Sequence, residues 1–317
     1  MFKKFNILTL IIILAILAGV YLLLEMGGED ERTFKEQLVA VDTAKMTELI
    51  VTPPRAEQVH LKKFDGNWYV LINDDKYLAD SAVLTTTLET LLDLKALYPS
   101  AIDRKAWAKY HVDDTSGIKV IAKKGNKTLA NFIVGKMEYM SLPDPRSPGK
   151  NVPVTATHIR LPGDENVYLV REALYHYSRK PSDYRKKTLA KVRRDRLNKL
   201  TFEYPNDQTF ILEKQNNRWL FDGQTPDSLN TIQYINRIVH LRGMEFADGF
   251  NPTGKRPDYQ LTMEGKGFDP ITISAFHAGY EDEFILTSSI NNDNAFIGSN
   301  ANLFSRIFVQ REHFLPE

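Results

Sequence analysis

The chain contains no cysteine in its 317 residues. Disulfides, thiolate nucleophiles, thiolate metal sites and a lipid-modified N-terminal cysteine are therefore excluded. Net charge is nearly absent as well, because 41 Lys and Arg stand against 40 Asp and Glu for a formal +1. Nothing in that balance draws the whole molecule toward nucleic acid or a lipid surface. Recognised catalytic spacings are missing too. The histidines are His60, His111, His158, His176, His240, His277 and His313, and none falls in His-Glu-x-x-His spacing. There is no Gly-x-Ser-x-Gly elbow. Gly125-Asn126-Lys127-Thr128 matches only the tail of a phosphate loop and reads as a turn. Asp113-Asp114 and Glu281-Asp282-Glu283 lack the EF-hand pattern and read as solvated acidic turns. The expectation is a chain with no catalytic residue, no cofactor and no metal, which is not an enzyme.

What is present is a pattern written twice. Residues 46–71 read MTELIVTPPRAEQVHLKKFDGNWYVL, and residues 197–222 read LNKLTFEYPNDQTFILEKQNNRWLFD. Each runs from an alternating strand through a turn into a second strand and on to a tryptophan, Trp68 or Trp219. An Asp-Ser helix start follows each, Asp80-Ser81 and Asp227-Ser228, where the carboxylate can accept from free helix N–H groups. The periodicity then places Leu84, Leu88, Leu91 and Leu92 on one helix face, with Thr87 and Glu89 largely opposite. The second helix places Ile232, Ile235 and Val239 on adjacent turns. Trp68 and Trp219 occupy equivalent positions and read as core anchors. Strand runs around one main helix imply an α+β domain with a mainly antiparallel sheet, so the pattern predicts two such domains in tandem.

Residues Ile7–Leu24 carry no charge, with Lys3 and Lys4 before them and Glu25, Glu29, Asp30 and Glu31 after. That length and flanking charge predict one N-terminal transmembrane helix. The expected address is the inner (cytoplasmic) membrane in a single pass, with the N-terminus cytoplasmic and the C-terminal domains periplasmic or extracellular. The expected division is an anchor over 1–27, a stalk over 28–45, a first repeat domain over 46–180, a basic linker over 181–196 and a second repeat domain over 197–317.

Two segments stand out as contact surfaces. Arg179–Lys199 holds ten Lys or Arg against Asp183 and Asp195. Its Arg185, Lys186, Lys187, Arg193 and Arg194 are candidates for an acidic partner surface or acidic headgroups. Residues 136–157 are rich in proline and read as a long loop, where Tyr139 and Met140 place apolar groups in an exposed setting.

Several local features together resemble the bacterial family of domain of unknown function 4340. They are Gly66-Asn67-Trp68, Asp80-Ser81, the strand end Phe132-Ile133-Val134-Gly135-Lys136, Val167-Tyr168-Leu169-Val170, and Tyr184-Arg185-Lys186-Lys187-Thr188-Leu189. Lys186 departs from the pattern, which has an acidic residue after that arginine. The resemblance implies a membrane-anchored accessory or scaffold subunit of an ABC-type transport complex like those of gliding motility. It implies permease and ATPase subunits as partners, and no nucleic acid. The alternative is a standalone glycan- or peptide-binding module of the cell envelope.

Overall fold

The computed structural model describes residues 14, 16–18, 34–144, 146–206, 208–279 and 283–316. In chain order its strands are β1 (Gln37–Val39), β2 (Glu48–Thr52), β3 (Val59–Phe64), β4 (Asn67–Ile72), β5 (Asp75–Leu78), β6 (Leu94–Ala101), β7 (Ile118–Lys124), β8 (Lys127–Pro143), β9 (Asn151–Arg160) and β10 (Val167–Val170). They continue as β11 (Thr188–Lys191), β12 (Leu197–Tyr204), β13 (Gln208–Gln215), β14 (Arg218–Phe221), β15 (His240–Arg242), β16 (Tyr259–Gly265), β17 (Ile271–His277), β18 (Phe284–Ser288) and β19 (Asn291–Ile297). The α-helices are α1 (Ser81–Glu89), α2 (Ser228–Ile238) and α3 (Leu303–Ile307).

The expected fold class does not stand. Of the described residues 45% lie in strands and 18% in helices, so the chain is mostly antiparallel β rather than α+β. The physical cause is the period-two alternation that runs through most of the sequence, as in Ile271, Ile273 and Ala275 buried against Thr272 and Ser274 half-exposed along β17. The expected transmembrane helix is corrected as well. Among the described residues no helix is long and apolar enough to cross a membrane. Crossing takes about 20 consecutive apolar residues in a helix, and α2, with 11, is the longest helix described. The inner-membrane address falls with it. Within Ile7–Leu24 only Leu14, Ile16, Leu17 and Ala18 are described, and they are helical and exposed. The rest of the expected anchor lies outside the described residues.

By its contacts the chain forms two compact units. Unit one holds residues up to Lys45, Glu89–Ile121 and Thr128–Tyr175. Its strands run in the order β1-β6-β10-β9-β8-β7. Val112, Ile133 and Val167 make a small core there, with Trp107 and Tyr110 packed on it. The segment 136–157, read as a loop, is a β-ribbon instead. β8 and β9 pair from Ile133↔Arg160 to Pro143↔Asn151, with a register shift between Val134 and Met137. β10 reaches β9 only as far as Thr157. Beyond that point Pro143 and Pro153 are exposed, paired in register with Asn151 and Ser141. The prolines suggested a loop, while the pairing across the turn decided a ribbon.

Unit two holds Met46–Leu88, Ala122–Lys127 and His176–Glu317. The run that opens the first sequence copy therefore belongs with the whole of the second. The unit contains the antiparallel meander β2-β3-β4-β5, the pair β11-β15 and a seven-stranded sheet in the order β14-β13-β12-β16-β17-β18-β19. Asp65 and Gly66 both have positive φ, 48° and 84°, which is the backbone that a two-residue hairpin between β3 and β4 requires. Asp227 caps α2 through Asn230 N at 2.7 Å, as its position predicts. Aromatics fill the core of this unit. Phe202 stacks on Phe210 with centroids 4.4 Å apart, and Tyr234 and Phe314 close around them. The α2 stripe differs from the expectation: Thr231, Tyr234, Ile235 and Ile238 are buried, and Ile232 is exposed.

Candidate functional site

Three of the separated sequence features meet in unit two. The tight β3–β4 hairpin sets Asn67 and Trp68 at the start of β4. From there Ala79 N donates to Trp68 O at 2.9 Å, which brings the end of β5 beside the tryptophan. The segment 184–186 is stitched along the same stretch. Asp80 N donates to Tyr184 O at 2.7 Å and Lys186 N to Leu78 O at 2.8 Å. The outcome is a cavity of about 410 Å³ whose wall includes Gly66, Asn67, Trp68, Asp80, Ser81, Lys186 and Thr188. Each of these had been noted for its local role, as turn, cap or link. Leu78, Leu84 and Ile290 supply apolar wall, and Lys191 stands with them.

The charges in this cavity are unequal. Asp80 is buried, and its carboxylate is fully engaged. Oδ1 accepts from Ala82 N at 3.0 Å and Val83 N at 3.3 Å, capping α1, while Oδ2 accepts from Arg242 Nη2 at 2.7 Å. Burial pushes its pKa up, but Arg242 and the two amides outweigh that and hold the carboxyl below its ordinary value. Lys186 Nζ donates once, to Ile290 O at 2.7 Å, and keeps two donors. Lys191 is exposed and has no acidic partner among the described residues. The site thus carries two ammonium groups against one carboxylate already neutralised by Arg242.

Arg185 lies inside unit two and is 3% exposed. Its guanidinium sits between the rings of Tyr77 and Phe246, 3.7 Å from each centroid. Nε donates to Asn294 Oδ1 at 2.9 Å and Nη1 to Asp248 Oδ1 at 2.7 Å. In place of the expected surface contact, two aromatic faces and two acceptors hold the Arg185 guanidinium inside. Lys187 is half-buried, 3.8 Å from Asp183. Arg193 is exposed and paired with Asp195 at 2.9 Å, and Arg194 is exposed. The basic stretch is thus partly core: Tyr184, Leu189 and Ala190 are buried within it.

In unit one, Tyr139 is 91% exposed on the β8–β9 ribbon. Its cross-strand partner is Thr155, while Met140 faces Val154 and Leu142 faces Val152 on the other side, half-buried. At the base of the ribbon His158 Nε2 lies 3.4 Å from Glu138 Oε1. Burial lowers the pKa of His158 despite that carboxylate. Trp107, which has no counterpart in the second copy, lies 3.7 Å from the Arg160 guanidinium and donates from Nε1 to Glu165 O at 2.8 Å. Asp114 pairs with Arg160 at 2.7 Å. Among the described residues no group of three His, Asp or Glu is placed to hold a metal. Glu281 and Asp282 lie outside them.

A larger cleft of about 540 Å³ lies on the outer face of β16–β19. On its wall Gln260 Nε2 donates to Ser274 Oγ at 3.1 Å. That is the ordinary pattern of a solvated strand face, and none of the features noted in sequence converges there.

No curated protein and no solved structure matches the chain. One family model does, that of a domain of unknown function (DUF4340), over residues 68–263. The match takes in Trp68, Asp80-Ser81 and 184–189, which line or frame the cavity in unit two, and it covers more than half of the sequence. The chain belongs to the DUF4340 family.

Proposed function

We propose that this chain is a non-enzymatic accessory or scaffold subunit that engages partner proteins through the β8–β9 ribbon. The observation that carries this reading is Tyr139, whose ring is 91% exposed on a ribbon backed by Met140, Leu142, Val152 and Val154. Exposed aromatics beside aliphatic surface are the usual anchors of protein interfaces. In unit two, Arg194 is an exposed positive charge that suits an acidic partner. The family resemblance suggests the partners: the permease and ATPase subunits of an ABC-type complex resembling gliding-motility systems, with ATP hydrolysis in another subunit. The test is to purify the tagged full-length chain from its native source after mild crosslinking and identify the copurifying proteins by mass spectrometry. A permease and an ATPase, both lost in the Tyr139→Ser/Met140→Ser variant, are the expected result. A chain that purifies alone overturns the reading.

A second reading, a glycan- or peptide-binding module, is favoured by one observation. The cavity beside Trp68 combines an aromatic wall, aliphatic wall and uncommitted hydrogen-bond donors.

A further inference from the structure

We propose that the cavity beside Trp68 receives the C-terminal carboxylate of a peptide that ends in a large apolar side chain. The proposal rests on the ligand-binding reading above and names its ligand. Volume comes first: about 410 Å³ holds one large side chain with a short stretch of main chain. Trp68, Leu78, Leu84 and Ile290 form apolar wall against which such a side chain loses its water.

Charge selects the end of the peptide. Asp80 is the acidic group on the wall, and Arg242 with two amide donors already satisfies it. It therefore has little to offer a cation. Lys191 has no acidic partner among the described residues, and Lys186 retains two N–H donors after its bond to Ile290 O. An anionic group with an apolar neighbour is the complement of this surface.

The remaining polar groups separate a peptide from a fatty acid. Asn67, Ser81 and Thr188 also line the cavity. Amide N–H and C=O groups of a peptide can pair with them, whereas an alkyl chain offers them nothing in place of water.

The test is a fluorescence titration of the full chain, with the Trp68→Phe variant subtracted to isolate the signal of Trp68. The probes are acetyl-Ala-Ala-Phe with a free carboxylate, the same peptide as its C-terminal amide, and decanoate. The free acid is expected to saturate the Trp68 signal, with the amide about tenfold weaker, the loss of one charge-assisted hydrogen bond. Lys191→Gln, a surface change checked by an unaltered melting temperature, is expected to weaken the acid about tenfold and leave the amide as it was. Equal binding of acid and amide overturns the carboxylate assignment while the ligand-binding reading stands. Absence of binding by both peptides defeats that reading for this cavity as well. Decanoate binding as tightly as the free acid overturns the assignment to a peptide.

Discussion

Asp80 and Arg242 form a hydrogen-bonded ion pair at 2.7 Å across 162 positions of sequence. Asp80 belongs to the helix start of the first sequence copy, and Arg242 ends the strand after the helix of the second. The same carboxylate caps α1 with its other oxygen, so one side chain serves helix initiation and long-range assembly of unit two. Asp80→Asn should cost about 1–3 kcal/mol, because Arg242 loses its charged acceptor and the α1 cap becomes a neutral one. The coupling with Arg242→Met in a double-mutant cycle should be about 1 kcal/mol, reduced from a buried value because Arg242 is half-exposed. Urea unfolding of the four proteins measures it, and a coupling of zero removes the pair as a stabilising contact. The pH dependence has a definite sign. A carboxyl held below its ordinary value in the fold contributes stability above pH 3.8 that is lost as pH falls through its folded value.

Arg185 offers a sharper case. Its planar guanidinium lies between Tyr77 and Phe246 while donating to Asn294 and Asp248. Arg185→Ala should destabilise unit two by about 2–4 kcal/mol, since removal leaves a void between two rings and deprives the buried Asn294 oxygen of its donor, while exposed Asp248 returns to water. Arg185→Lys should recover less than half of that, because an ammonium neither stacks as a plane nor spans both acceptors. Chemical denaturation reads both variants. A lysine variant as stable as the parent would mean that charge alone matters there.

His176 makes unit two sensitive to acid in a separate window. Burial, with the nearby charge of Arg179, pushes its pKa down from 6.5 to about 4. The folded state therefore resists a proton that the unfolded chain accepts. Stability from this group is complete above pH 6.5 and falls as pH drops toward 4, by roughly 3 kcal/mol in total. His176→Phe should flatten that part of the stability curve, and the difference between the two curves isolates the histidine. An unchanged slope between pH 6.5 and 4 refutes the assignment.

Gly243 is a steric requirement. A Cβ at that position would overlap the ring of Phe296, which is fully buried in the core. Gly243→Ala should cost about 1–3 kcal/mol by overpacking. In a Phe296→Ala background the same change should cost less, since the ring atoms in conflict are gone. Thermal melts of the single and double variants decide it, and a double variant less stable than the sum of its parts contradicts the account.

Local features were legible wherever a short-range rule governs them. The Asp65-Gly66 hairpin, the caps at Asp80 and Asp227, and the strands β2, β3 and β12 follow from turn chemistry, capping and alternation. Legibility ended where a distant partner changes the environment. Thr87, assigned to the polar side of its helix, is buried because its hydroxyl meets Tyr184 OH at 3.3 Å. Arg185, part of a strongly basic run, turns inward because two rings and two acceptors outbid solvent. The β8–β9 ribbon looked like a loop because proline signals a local break, and ladder pairing is a property of two strands.

The sequence by itself determined the chemistry that this protein does without and the local grammar of its elements. The absence of cysteine, the near-zero charge, the repeated strand-turn-Trp pattern and the Asp-Ser helix starts are all short-range facts of composition and spacing. Tertiary structure alone decided that Trp68, Asp80 and Lys186 share one cavity, and that residues 46–88 join 176–317 in one unit. The reason is physical. Hydrogen bonding and apolar burial between segments a hundred residues apart depend on which surfaces meet, and no window of neighbouring residues holds that information.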